Sequence, residues 1–176
     1  NLLGDFQINN VSTAIATTRK LNQFKIKDDH IKKSITKIRS EARLQYITEG
    51  KLRNFVAPNN QILLDGAHNL MAAVAAEKFL GTLNSKRKIV MLIGMMSNKD
   101  HKKFIEVFKN KVHSIIALDI PNQINFVEKE KLVKIAESFG ISSKTGSSIK
   151  TALKSASKQS EDAIIFCTGS LYFCGE

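Results

Sequence analysis

Gln61-Ile62-Leu63-Leu64-Asp65-Gly66-Ala67-His68-Asn69, running on into Leu70-Met71-Ala72-Ala73, is the stretch on which the fold turns. Ile62-Leu63-Leu64 is a short unbroken apolar run, the mark of a strand buried on both faces. Asp65-Gly66 ends it, and the apolar period then changes. Leu70, Ala73, Ala76, Leu80 and Leu83 fall on one side of a helix.

The same alternation continues downstream. Ile89-Val90-Met91-Leu92-Ile93 reads as a strand closed by Gly94, and a helix follows with Phe104, Ile105, Phe108 and Val112 on one stripe. Ile115-Ile116-Ala117-Leu118 is a third strand, broken at Pro121. Leu132, Ile135, Ala136 and Phe139 mark another helix, with Gly140 where a C-terminal cap belongs. A shorter helix after Ser147 carries Ile149, Ala152, Leu153 and Ala156, and Ala163-Ile164-Ile165-Phe166 is a last strand leading into Thr168-Gly169-Ser170. Doubly apolar strands, each followed by an amphipathic helix, imply a parallel sheet covered on both faces. In such sheets ligands lie at the carboxyl ends of the strands.

Upstream the texture differs. Residues 10–21 read as a helix with Val11, Ala14, Ile15 and Thr18 inward, and residues 28–38 as another with Ile31, Ile35 and Ile38 on one side. Residues 43–56 suggest two short extended segments around Gly50. No strand precedes the first helix, so these helices read as the tail of an earlier domain. The expected division is 1–40 for that tail and 41–176 for the α/β unit.

Composition narrows the function classes. The 176 residues are 43% hydrophobic and 24% charged with 2 Pro, the profile of a globular chain. The longest apolar runs fall far short of the ~20 residues that span a bilayer, so no membrane partner is expected. Asn1 to Asp5 lacks the basic start and apolar stretch of a signal peptide. Cys167 and Cys174 have neither zinc-knuckle nor redox-pair spacing and read as free thiols in a reducing cytoplasm. The net charge of +11 favours an anionic partner. Its lysines are spread along polar helix faces without interleaved aromatics, which argues against nucleic acid.

The residues that can carry chemistry follow the first strand. Asp65 is delivered to its carboxyl end, where a carboxylate can accept from a vicinal diol such as a ribose, and His68 and Asn69 fall at a helix start. Free N–H groups there favour phosphate. His68 can donate to a phosphate oxygen or a developing oxyanion. The plainer alternative leaves Asp65 as a helix cap and His68 as a surface residue.

LDGAHN after an apolar strand resembles the signature of the C-terminal domain of folylpolyglutamate synthases and dihydrofolate synthases, members of the Mur ligase superfamily. Further segments resemble that family in order. Gly4-Asp5-Phe6-Gln7-Ile8-Asn9-Asn10 is similar to its G-x-H-Q-x-x-N segment, and Ala42-Arg43-Leu44-Gln45 to its junction G-R-x-Q/E. Gly94-Met95-Met96-Ser97-Asn98-Lys99-Asp100 is similar to its G-M-x-x-D-K-D loop, and Gly169-Ser170-Leu171-Tyr172-Phe173 to its closing G-S-L-Y.

The resemblance implies an α/β, Rossmann-like, mostly parallel sheet with helices on both faces, preceded by a helical remnant of the central ATPase domain. It implies a cytoplasmic, monomeric, ATP-dependent carboxylate–amine ligase that joins L-glutamate to dihydropteroate or a reduced folate through an acyl phosphate. Magnesium would accompany ATP, with its ligands in the central domain and none in this chain. By the same match Asn10 contacts the nucleotide base, Arg43 the phosphates, Asp65 the ribose and hinge, and His68, the expected catalytic residue, sits beside the phosphates. Asn69, Lys99, Asp100 and Ser170 are possible loop contacts. His30, His101 and His113 match nothing in the family and read as exposed.

Departures accompany the match. Phe6 stands where the family has His, Ser40-Glu41-Ala42 where W/L-P-G precedes the arginine, and Asn98 where the loop has its first Asp. No G-x-x-x-x-G-K-[ST] phosphate loop occurs in the 176 residues, so these residues alone are expected to be inactive. A muramyl-type ligase domain, a non-catalytic basic nucleotide- or nucleic-acid-binding module and a decayed remnant are the competing readings.

Overall fold

The computed structural model describes residues 2–83 and 86–176; Asn1, at the head of the expected helical tail, lies outside them. Helices α1 (Phe6–Lys20) and α2 (Asp28–Ile35) come first, followed by strand β1 (Gln45–Ile47) and a 3-10 turn at Lys51–Phe55. Next are β2 (Gln61–Leu64), α3 (Leu70–Gly81), β3 (Ile89–Ile93), α4 (His101–Glu106) and β4 (Ser114–Ala117). The chain ends with α5 (Lys129–Ser138), β5 (Ser143–Thr145), α6 (Ile149–Ser157), β6 (Ile164–Thr168) and α7 (Leu171–Gly175).

The strands form one six-stranded sheet in the order β1-β2-β6-β3-β4-β5. Only β1 runs antiparallel, pairing Tyr46 with Leu63 at the edge. The other pairs are parallel, with Leu63 beside Phe166 and Phe166 beside Met91. Strand alternation splits the core in two. Leu63, Met91, Ile93, Ile115 and Phe166 face one side, covered by Ala73, Ala76 and Leu80 of α3, Phe104 of α4 and Leu132 of α5. Ile62, Leu64, Val90, Leu92 and Ile165 face the other, covered by Ala152, Leu153 and Ala156 of α6 and Phe173 of α7. Phe104, Phe108 and Phe166 stack tilted at centroid spacings of 5.5 and 5.9 Å, joining α4 to the sheet centre. The fold class read from the sequence is this one.

Several local expectations fail for identifiable reasons. Residues 51–55 form a 3-10 turn rather than a second extended segment, because Leu52 and Phe55 pack beneath α6. Ser143–Thr145 pairs with β4 although its sequence, Ser-Lys-Thr, is polar; an edge strand needs little burial. Leu70 is 46% exposed instead of inward, since it begins α3 at the sheet's end. His101, expected at the surface, is buried, and its Nε2 bonds to the Met96 carbonyl at 2.9 Å. In α1 Ala14 is exposed, while Val11, Ile15 and Thr18 are half-buried; in α2 nothing is fully buried. Among the described residues no helix is long and apolar enough to cross a membrane.

Gly140 closes α5 as the spacing predicted. Its φ is +74°, its N–H bonds to Glu137 and that of Ile141 reaches back to Ala136. These two bonds satisfy carbonyls that the helix end would otherwise leave open. A Cβ at Gly140 would meet nothing within 4 Å, so Gly140→Ala costs only the left-handed backbone. Urea denaturation should show a loss of about 1 kcal/mol.

Candidate functional site

A cleft of about 270 Å³ opens at the carboxyl end of β2. Helix α1 contributes Phe6 and Asn10, and the segment entering β1 contributes Arg43. The β2–α3 turn supplies Asp65, Gly66, His68 and Asn69, and α3 supplies Met71, Ala72, Ala75 and Ala76. Sequence distance is large, yet Asn10, Arg43, Asp65, His68 and Asn69 line one space. Apolar residues (Phe6, Met71 and the alanines of α3) line it together with the polar and charged groups.

Asp65 is turned inward and only 5% exposed. Oδ2 accepts from the Leu44 N–H and Oδ1 from the Ala67 N–H, each at 2.9 Å. Burial raises its carboxyl above the ordinary range; the two amides, Arg43 and His68 pull it back. The carboxylate therefore ties the Arg43 segment to the His68 turn. Asp65 does not cap α3. Asn69 does, its side chain accepting from Ala72 N–H at 2.9 Å.

The Arg43 segment is strained. Ala42 and Leu44 have φ of +50° and +49°, left-handed values that side chains with a Cβ seldom adopt. Four tethers hold them. Gly66 N–H donates to Ala42 O at 2.8 Å, Ala42 N–H to Gln45 Oε1 at 2.9 Å, Leu44 N–H to Asp65, and the Leu44 side chain is buried in the core. Such strain persists only where the surroundings over-determine it. Its result is to present Arg43, half-buried and without a hydrogen-bond or ion-pair partner among the described residues, to the cleft.

His68 Nδ1 lies 2.9 Å from Gly66 O. A carbonyl only accepts, so Nδ1 carries the proton and Nε2 is the ring atom left for the cleft. An anion there can accept from Nε2 only where that atom carries a proton as well. Burial, together with the nearby Asp65 carboxylate, pushes the Cys174 thiol up to about 12.

The remaining sequence candidates stand apart. Lys99, Asp100 and Ser170 do not line the cleft. Asp100 caps α4 by accepting from Lys103 N–H and pairs with Lys103 Nζ at 3.2 Å, which lowers its carboxyl. Ser170 is buried and caps α7 through Tyr172 N–H. Sequence reasoning missed Phe6 and Met71 as lining residues and the paired left-handed residues. The first had a signal, since Phe6 and Asn10 are four apart on one helix. The second had none, because Ala and Leu do not advertise positive φ.

Comparison with known proteins identifies the chain's relatives. Residues 48–176 match the family model of the dihydrofolate synthetase C-terminal domain. A dihydrofolate synthase/folylpolyglutamate synthase of Buchnera aphidicola subsp. Acyrthosiphon pisum is 29% identical over 106 residues, which is 60% of this chain and 23% of that protein. The Mycobacterium tuberculosis folylpolyglutamate synthase complexed with ADP and AMPPCP shares the fold at a TM-score of 0.83 and 21% identity, over 99% of this chain and 39% of that one. E. coli FolC in complex with DHPP and ADP matches at a TM-score of 0.76 and 19% identity, over 94% of this chain and 36% of that one. The chain thus spans well under half the length of these relatives. By the extent of its family match, it belongs to the dihydrofolate synthetase C-terminal domain family.

Proposed function

We propose that this chain is the C-terminal part of a cytoplasmic, ATP-dependent ligase that joins L-glutamate to dihydropteroate or a reduced folate, and that its cleft closes over the nucleotide. The observation that carries this reading is the convergence of Asn10, Arg43, Asp65 and His68 on one cleft. Residues 1–40 are then the tail of a preceding ATP-binding domain. Magnesium is assigned to ligands in the portion of the relatives that this chain does not span; among the described residues no cluster of three acidic, His or Cys side chains stands ready for it.

In the proposed reaction the γ-phosphoryl of ATP passes to a substrate carboxylate, giving ADP and an acyl phosphate. The glutamate amine then attacks the acyl carbon, and the tetrahedral intermediate expels phosphate. Phosphoryl transfer of this kind is catalysed mainly by positioning and charge neutralisation. Here Arg43 supplies positive charge toward the phosphates, His68 lies beside them, Asn10 contacts the base, and Asp65 holds Arg43 and His68 in register.

The test joins residues 1–176 in frame to the upstream portion of a related synthase and follows ATP-dependent incorporation of labelled glutamate into dihydropteroate and tetrahydrofolate. Incorporation by the chimera is expected, with none from the chain alone. Arg43→Ala should raise the KM for ATP about tenfold, the worth of one charge-assisted contact. A folded chimera that incorporates nothing would remove the proposal. Glutamate- and folate-dependent ADP release by the chain alone would overturn its assignment as an incomplete catalyst.

A further inference from the structure

Helix α7 turns two large side chains to solvent. Leu171 is 45% exposed and Tyr172 59%, while Phe173 beside them is 4% exposed. The helix is pinned, so these side chains cannot swing inward. Ser170 accepts from Tyr172 N–H through its hydroxyl and from Cys174 N–H through its carbonyl, each at 3.1 Å. Phe173 fills the space over Gly94, where an added Cβ would come 2.8 Å from its ring. The Tyr172 hydroxyl has no hydrogen-bond partner among the described residues. A ring fixed before a ligand arrives loses little freedom on contact.

Their place in the fold points to an occupant. Leu171 packs on Gly66 so closely that a Cβ at Gly66 would overlap its Cδ2. Gly66 also lines the cleft, two residues before His68. Phe6 of α1 and the buried residues of α3 pack on one face of the sheet, and Phe173 of α7 packs on the other. The β2–α3 turn therefore has the cleft walls on one side and α7 on the other. Phosphoryl transfer sets the attacking and leaving oxygens roughly in line through phosphorus. With ADP on the cleft side and the phosphates at Arg43 and His68, the substrate carboxylate arrives from the opposite side, where α7 stands. We propose that Leu171 and Tyr172 form the platform for the aromatic ring of the acyl substrate, with Tyr172 determining specificity. This rests on the reading of the cleft as a nucleotide site. In dihydropteroate the reacting carboxylate is bonded directly to a benzene ring, so aligning one fixes the other beside α7. In tetrahydrofolate the reacting carboxylate ends a flexible glutamyl chain, and the ring lies farther off. Tyr172 thus favours the first acceptor over the second, through stacking and exclusion of water.

The experiment uses the chimera, its upstream portion taken from a bifunctional synthase, with Tyr172→Ala and Tyr172→Phe beside it. KM is measured for dihydropteroate, tetrahydrofolate and ATP, and the thermal midpoint is recorded for each variant. Tyr172→Ala should raise the KM for dihydropteroate about 3- to 10-fold, with kcat and the KM for ATP unchanged. Its effect on tetrahydrofolate should be at least about threefold smaller, because that ring is displaced from α7. Tyr172→Phe keeps the ring and should stay within about twofold of wild type. The midpoint should hold in both variants, since the side chain is exposed. An unchanged KM for dihydropteroate in Tyr172→Ala would overturn the proposal, as would an equal rise for both acceptors. A loss in Tyr172→Phe as large as that in Tyr172→Ala would overturn it too, by assigning the contact to the hydroxyl. Failure at the two levels is distinguishable. A folded chimera that never uses ATP removes the nucleotide reading and this inference with it; an active one with unchanged acceptor KM values removes the inference alone.

Discussion

Asp65→Ala is expected to destabilise the fold by about 2–4 kcal/mol and to lower ligation by the chimera about 100-fold. Among the described residues only the carboxylate accepts from two amides, those of Leu44 and Ala67, and both residues are 1% exposed. Each buried N–H left without a partner costs roughly 1–3 kcal/mol. Deleting the side chain also removes a charge that burial disfavours, and this offsets part of the loss. The functional loss is expected to exceed what stability alone would cause. Without Asp65 the left-handed residues Ala42 and Leu44 lose a tether and can relax, which carries Arg43 away from the cleft. A melting curve within about 0.5 kcal/mol of wild type would sink the structural half of this prediction. Full ligation by a stably folded Asp65→Ala chimera would sink the other half.

The same carboxyl sets a pH dependence whose sign follows from its direction. Its folded value is raised, so between the unfolded and folded values the folded state holds the proton that the unfolded state has released. The burden of the buried charge is therefore present above the folded value and relieved as pH falls through it. Asp65→Asn carries no such charge at any pH. The stability of wild type relative to Asp65→Asn should accordingly grow on acidification through the carboxylate range. A gap that shrinks over that interval would show that the native state favours the ionised form.

Much of this architecture was legible because strand and helix announce themselves by period. Ile89–Ile93 is buried at every position, and its alternate residues serve two cores, so a continuous apolar run was the right sign for a central strand. Gly140 declared the end of α5 because only its backbone could close that helix cheaply. Ser143–Thr145 could not be read, since its place in the sheet comes from pairing with β4 rather than from side chains that seek burial. His101 was misread for the complementary reason: a polar ring is buried here because the Met96 carbonyl answers it, and a partner five residues away leaves no mark in composition. At the cleft, the residue types at Asp65 and His68 were visible, but their work was not. That Asp65 spends its oxygens on two main-chain amides depends on a strained turn 21 residues upstream, and nothing in Ala42-Arg43-Leu44 betrays it.

Gly169→Ala should be the second severe substitution, with an expected cost of about 3–5 kcal/mol from two separable sources. Gly169 has φ of +104°, beyond the left-handed well that other residues can reach. A Cβ there would also come 2.7 Å from the Gly94 carbonyl oxygen, 2.8 Å from Met95 Cγ and 3.0 Å from Ile93 Cγ1. The nearest of these is backbone at the end of the central strand, so it has little freedom to withdraw. Gly50→Ala isolates the first source, because Gly50 has φ of +89° and nothing within 4 Å of the added carbon. The difference between the two variants in urea denaturation then measures the steric source alone, expected at about 1–3 kcal/mol. Equal losses would mean that the ends of β6 and β3 can part without cost. The consequence reaches the cleft. Gly169 N–H donates to Ala67 O at 2.9 Å, and Ala67 lies between the carboxylate that holds Arg43 and the imidazole that faces the ligand. A shift of the β6 end therefore displaces the turn from which Asp65 and His68 project. Nucleotide affinity in the chimera should fall even where enough stability remains for the protein to fold. An unchanged KM for ATP in a destabilised Gly169→Ala chimera would show instead that the turn keeps its geometry independently of β6.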